Sequence, residues 1–141
     1  MSQIHFFEEG LNFKLDNEEK IIRWLDTLIK TEGFYLEELN YIFCSDDHLH
    51  KINLEYLNHD TLTDIITFDN SEEDLAIEAD VFISIDRVRE NERTFDSGFE
   101  KELSRVIVHG LLHLFGYDDK TEEQKQAMRK KEEACLSLLP N

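Results

Sequence analysis

Residues 97–116, SGFEKELSRVIVHGLLHLFG, constrain the fold of this chain more than any other stretch. Ser97 and Glu100 stand at capping-box spacing, and Gly116 suits the left-handed position that ends a helix. Between them Phe99, Leu103, Val106, Ile107 and Phe115 make an apolar stripe at helical spacing. The stretch is predicted to be one long helix with a face in the core. A second box, Thr121 with Gln124, opens TEEQKQAMRKKEEACLSLL, a terminal helix with mixed charge on its exposed side.

The partners of that apolar face are supplied upstream. QIHFFEE, LNYIFCS, TDIITF and ADVFISID are β-branched or aromatic runs that read as four strands. Two helices are read among them. DNEEKIIRWLDTLIKTEG carries Ile21, Ile22, Leu25, Leu28 and Ile29 at helical spacing, with Asp16 or Asn17 as cap and Gly33 as stop. DDHLHKINLEYLNHD places Leu49, Ile52, Tyr56 and Leu57 on one side. The acidic DNSEEDLAIEA between the last two strands reads as a loop. Strands and helices interleave while the last two long helices run consecutively. The expected class is α+β: a small mixed sheet of about four strands covered by about five helices, in a single domain over residues 1–141.

Composition narrows the function classes. The chain has 141 residues, 40% hydrophobic, which suits one domain with a sizeable core. Its formal net charge of −17 repels polyanions at long range, so any nucleic acid must be held locally or by a partner. Cys44 and Cys135 match no metal or redox spacing and are expected to be free thiols. No apolar run approaches the roughly 20 residues of a membrane span, and no signal sequence is read at the N-terminus, so a cytoplasmic location is expected.

His109 and His113 lie four apart on the predicted helix and so point the same way. Helix-borne H-x-x-x-H is the spacing by which two imidazoles grip one zinc ion, and an open site takes a third protein ligand. Gly116 lets the chain fold back, so the following YDD can bring a carboxylate to the pair. Spacing alone equally allows two core histidines satisfied by hydrogen bonds. In zinc proteases a glutamate follows the first histidine as general base; here that position is Gly110. A mid-helix glycine costs about 1 kcal/mol relative to alanine, which implies close packing or ligand access there.

HGLLHLFGYDD resembles the H-G-x-L-H-L-x-G-Y-D-H motif of the YbeY family, bacterial metal-dependent endoribonucleases also called rRNA maturation factors. INLEYLNHDTLTDIITF is similar to a second family segment at Asn53, Tyr56, Asp60, Thr63, Asp64 and Phe68, and ADVFIS to a third at Asp80, with Ala79 in place of glycine. The resemblance implies one zinc held by His109, His113 and the residue at Asp119, where the family has a third histidine. Aspartate is also a zinc ligand, and its charge makes a bound water a weaker acid. Asp118 matches the family's own aspartate and is an alternative ligand, a catalytic group or a support for a histidine N–H. Thr63 and Asp64 are expected to border the cleft with catalytic roles; Asp80 either supports the metal or simply begins a strand.

A second departure is Leu57, which stands where the family has an arginine that would stabilise charge on the scissile phosphate. Arg87, Arg89, Arg93 and Arg105 are candidates to compensate, or else ordinary surface charge. His48, His50 and His59 are expected to face solvent, with His59 a candidate for the cleft. The resemblance implies cleavage of single-stranded RNA in maturation of the 3′ end of small-subunit ribosomal RNA and in ribosome quality control. The partners expected are ribosomal RNA and the ribosome or a ribosome-associated protein, with neither DNA nor a membrane. A metallopeptidase or other zinc hydrolase, and a non-catalytic assembly factor with a structural metal, are the alternatives. Two histidines and a carboxylate also suit iron.

Overall fold

The computed structural model describes residues 3–58, 63–95 and 98–139. Four strands, β1 (Ile4–Glu9), β2 (Tyr35–Cys44), β3 (Ile65–Asp69) and β4 (Ala76–Ser84), form one sheet in the order β1-β2-β4-β3. β1, β2 and β4 are parallel, and β3 is antiparallel to β4 along an edge. The five helices are α1 (Glu18–Thr31), α2 (Asp46–Leu57), α3 (Ile85–Phe95), α4 (Phe99–Leu114) and α5 (Glu122–Ser137). The α+β class and the mixed sheet therefore match the sequence expectation.

Alternation along the strands divides the core. Leu39, Tyr41 and Phe43 of β2 and Ala79, Val81 and Ile83 of β4 face a large cluster built with Trp24, Leu25 and Ile29 of α1, Ile107 and Leu111 of α4, and Met128 and Cys135 of α5. The other face carries a smaller cluster, Cys44, Leu49, Ile52 and Ile66, under α2. Both cysteines are buried and free. The Trp24 indole donates to the Cys135 carbonyl at 2.8 Å and pins α5 to α1, while Tyr41 Oη donates to the Ile107 carbonyl at 3.0 Å and pins α4 to the sheet.

Several boundaries differ from the sequence reading. β4 begins at Ala76, inside the predicted loop, and β2 begins at Tyr35, ahead of LNYIFCS. ADVFISID stops as a strand at Ser84, and Ile85 opens α3, whose buried residues, among those whose side chains are described, are Ile85 and Val88. On α2, Leu49 and Ile52 are buried, but Tyr56 and Leu57 are exposed. Asn17 precedes α1 in the left-handed region without a side-chain cap bond, whereas Gly33 (φ 83°) ends it as predicted. The Thr121–Gln124 capping box is present in full. Ser97, the predicted cap of α4, lies outside the described residues; Gly98 stands at the cap position.

Candidate metal centre

α4 crosses the sheet where β3 and β4 pair, and the crossing is close because of Gly110. A Cβ at that position would lie 2.9 Å from Ile65 Cδ1 and 3.1 Å from Val81 Cγ1. Packing therefore accounts for the glycine between the two histidines. With the helix seated this deeply, His109 and His113 point past the β3 edge with their Nε2 atoms 3.0 Å apart. Gly116, at φ 104°, turns the chain out of α4. Asp119 then returns so that its Oδ2 lies 3.3 Å from His109 Nε2 and 3.5 Å from His113 Nε2.

These three donors all lie within 4.8 Å of one another. Two imidazole nitrogens and a carboxylate oxygen converging in this way suit a divalent transition metal, zinc or iron among them. Two unprotonated ring nitrogens that face each other at 3.0 Å repel unless a proton or a cation stands between them. The donors sit at the wall of an open pocket of about 370 Å³. α2 contributes Asn53 and Leu57 to its lining, and the β3 strand with its lead-in contributes Thr63, Asp64 and residues 65–67. A larger groove of about 570 Å³, between the start of α1 and the flanks of α4 and α5, holds none of the three donors.

Thr63 and Asp64 thus border the same pocket as the histidines. The Thr63 hydroxyl donates to the Ile65 carbonyl at 3.2 Å, and Asp64 receives Asn91 Nδ2 at 3.5 Å. Burial pushes the Asp64 carboxyl above its usual range, more than the charge of His109 pulls it down. Asp118 is exposed and is not among the pocket's lining residues. Asp80 lies in the middle of β4 with its side chain bonded to Asn40 and Asn70, beside Phe82 and Phe68 on the α2 side of the sheet. It neither begins a strand nor reaches the histidines.

None of the four candidate arginines is among the residues that line the pocket beside Leu57. Arg87 pairs with Asp46, Arg89 stands over the Phe99 ring, and Arg93 pairs with Glu90. No lysine or arginine is among the described residues that line the pocket. His48 is half-buried and pairs with Glu9 at 2.9 Å. His59 and Asp60 lie outside the described residues.

Sequence reading did not single out Glu132. Its carboxylate is buried on α5, with Oε2 2.5 Å from His109 Nδ1 and Oε1 3.3 Å from Arg105 Nη1. Arg105 is itself buried, not a surface charge, and its Nη2 reaches Glu133 at 2.5 Å. Burial opposes a charge on His109, but the hydrogen bond and charge of Glu132, then Asp64 and Asp119, outweigh it and raise the imidazole's pKa. The only trace of Glu132 in the sequence is its spacing from Met128 and Cys135, which places a carboxylate on the apolar stripe of α5.

The family model for endoribonuclease YbeY matches residues 3–140. An endoribonuclease YbeY from Cytophaga hutchinsonii is 53% identical over 135 residues, covering 96% of this chain and 94% of that protein. One from Christiangramia forsetii is 46% identical over 136 residues, covering 96% and 94%. The solution structure of a Thermotoga maritima protein superposes with a TM-score of 0.66 at 29% identity, over 95% of this chain and 87% of that one. The matches run through the β3 segment, the two-histidine helix and the turn to Asp119 alike, and on that continuous likeness the chain belongs to the YbeY endoribonuclease family.

Proposed function

We propose that this chain is a single hydrolase domain over residues 1–141 that cleaves single-stranded RNA with one divalent metal, zinc in the first instance, held by His109, His113 and Asp119. The observation that carries this reading is the convergence of those three donors within 4.8 Å at a pocket wall, in a chain of this family. A metal held there supplies Lewis acidity toward a phosphoryl oxygen and acidifies water. The remaining pocket residues are the chain's own contribution. Asp64, whose carboxyl burial holds above its usual range, lines the pocket as a group that can take or give a proton, and Thr63 and Asn53 offer hydrogen bonds to a strand. Asp118, exposed at the turn, is left with contacts to bulk substrate or to a partner.

The physiological substrate is the 3′ end of small-subunit ribosomal RNA, in its maturation and in ribosome quality control, within the cytoplasm. The charge of −17 and the absence of a cation among the described pocket residues fit a substrate presented by the ribosome or a ribosome-associated protein. Among the described residues no helix is long and apolar enough to cross a membrane. A peptidase of the H-E-x-x-H type is disfavoured by packing, because a glutamate at position 110 would collide with Ile65 and Val81.

The test is a cleavage assay on single-stranded RNA beside a casein control, with and without chelator, on protein purified anaerobically and analysed for metals. RNA cleavage that chelator abolishes, at about one metal per chain, is expected. Casein cleavage would move the reading to a peptidase. Bound metal with no cleavage of either substrate would leave a ribosome-assembly factor with a structural metal.

A further inference from the structure

The stripe of α5 that enters the core consists of Met128, Glu132 and Cys135. An acidic side chain in the middle of such a stripe is destabilising unless its oxygens are paired. Both oxygens of Glu132 are paired, in different directions: Oε1 to the guanidinium of Arg105 at 3.3 Å and Oε2 to His109 Nδ1 at 2.5 Å. A cluster formed only to neutralise Arg105 would not need the second contact, since Glu102 and Glu133 also approach that guanidinium.

We infer that Glu132 is a positioning residue for the donor set, holding His109 in the tautomer that presents the Nε2 lone pair to the pocket, with Arg105 fixing Glu132 in turn. An ionised carboxylate only accepts hydrogen bonds, so Nδ1 must carry the proton and donate. The lone pair of a neutral ring then sits on Nε2, the nitrogen that faces His113 and Asp119. Carboxylate support of this kind orients a metal-binding imidazole and raises its basicity. The ring of His109 is thereby aimed by a residue 23 positions further along the chain, on a separate helix. The inference rests on the metal reading above as far as metal affinity is concerned, but the tautomer of His109 is a property of the metal-free chain.

Glu132→Ala and Glu132→Gln in the full chain test it, the glutamine variant keeping size and an accepting oxygen where alanine leaves a gap. Long-range proton–nitrogen NMR of the His109 ring in metal-free protein, recorded at alkaline pH where the imidazole is neutral, should show the Nδ1–H form in the unmodified chain and in Glu132→Gln. Glu132→Ala should lose that form. Zinc competition against a chromogenic chelator should weaken by about 10–100-fold in Glu132→Ala and recover most of that loss in Glu132→Gln. An Nδ1–H signal unchanged in folded Glu132→Ala would overturn the inference, as would an unmodified ring found in the Nε2–H form. If the unmodified chain binds no zinc, the metal reading fails by itself and the ring signal alone decides the role of Glu132.

Discussion

The donor set has two halves that the protein holds in different ways. His109 and His113 ride on α4, where Ile107, Val108, Leu111 and Leu112 are fully buried. Tyr41 anchors the helix backbone, Gly110 lets it press onto β3 and β4, and Glu132 grips one ring. Asp119 stands on a turn five residues beyond the helix, and its side chain is 40% exposed against 21% and 29% for the histidines. Its neighbours are held by contacts at the surface: Tyr117 Oη donates to Glu32 Oε2 at 3.3 Å, Lys131 Nζ pairs with Glu32 Oε1 at 2.7 Å, and the same ammonium lies over the Tyr117 ring. The helix half comes with the hydrophobic core, whereas the turn half depends on a few part-exposed polar contacts. A change of donor type, aspartate at position 119 where the motif this stretch resembles has histidine, is therefore easiest to accommodate at the turn.

The largest expected effect falls on the helix half. Arg105→Leu removes the guanidinium that pairs with both buried Glu132 and buried Glu102, and removing one partner of a buried charge cluster destabilises by about 3–5 kcal/mol. Denaturant unfolding of the metal-free chain measures it. A loss under about 1 kcal/mol, the scale of an exposed pair, would mean that the helix half is held no more firmly than the turn.

Asp119→Ala reverses the pattern. Its stability should stay within about 0.5 kcal/mol of the unmodified chain, as for a surface substitution, while zinc affinity falls by more than the roughly 10–100-fold that loss of a supporting residue causes. Asp118→Ala should leave affinity unchanged, since that side chain is exposed and outside the pocket. Chelator competition on both variants separates them. The opposite order would assign the third donor to Asp118.

The two halves also differ in how far the sequence announces them. H-x-x-x-H spacing, the stop at Gly116 and the box at Thr121 are local patterns, and each reappears in the structure because neighbours along the chain suffice to form it. Glu132 is not local: it sits among charged residues in a helix of mixed charge, and only the packing of α4 on α5 brings its carboxylate to His109. The same cause hid parts of the fold. Glu37 and Glu38 on β2 and Glu78 on β4 are poor strand formers, yet they belong to strands whose pairing partners, and not their propensity, set the boundaries. α3 shows too little apolar periodicity to be placed, because Ile85 and Val88 are buried while most of the helix is charged.

Thr121→Ala probes the junction where the turn re-enters regular structure. The Thr121 hydroxyl accepts from the Gln124 backbone N–H at 3.1 Å, and the Gln124 side chain bonds back to the Thr121 N–H, also at 3.1 Å. Removing the cap should destabilise the chain by about 1 kcal/mol, read as a shift in denaturation midpoint at constant slope. Zinc affinity should change less than in Asp119→Ala, because the first turn of α5 frays without moving Glu132, which lies further along the same helix.

The smallest effect expected is that of Tyr117→Phe, and it tests the surface network most directly. The substitution keeps the ring under Lys131 and removes the hydroxyl that bonds Glu32 and also acts on Lys131, while Glu32 keeps its ion pair with Lys131. The carboxylate is part-exposed and can turn to water, so the loss should be near the low end of the range for one hydrogen bond, about 0.5 kcal/mol. If the network only stabilises, zinc affinity will be unaltered. If it sets the return path of the chain to Asp119, affinity will fall several-fold while the denaturation midpoint barely moves, since a small displacement of a ligand weakens binding without exposing any core. Lys131→Met distinguishes the two contributions further, because it removes the cation from both Glu32 and the Tyr117 ring at once. An affinity unchanged in both variants would show that Gly116 and the capping box alone fix the position of Asp119.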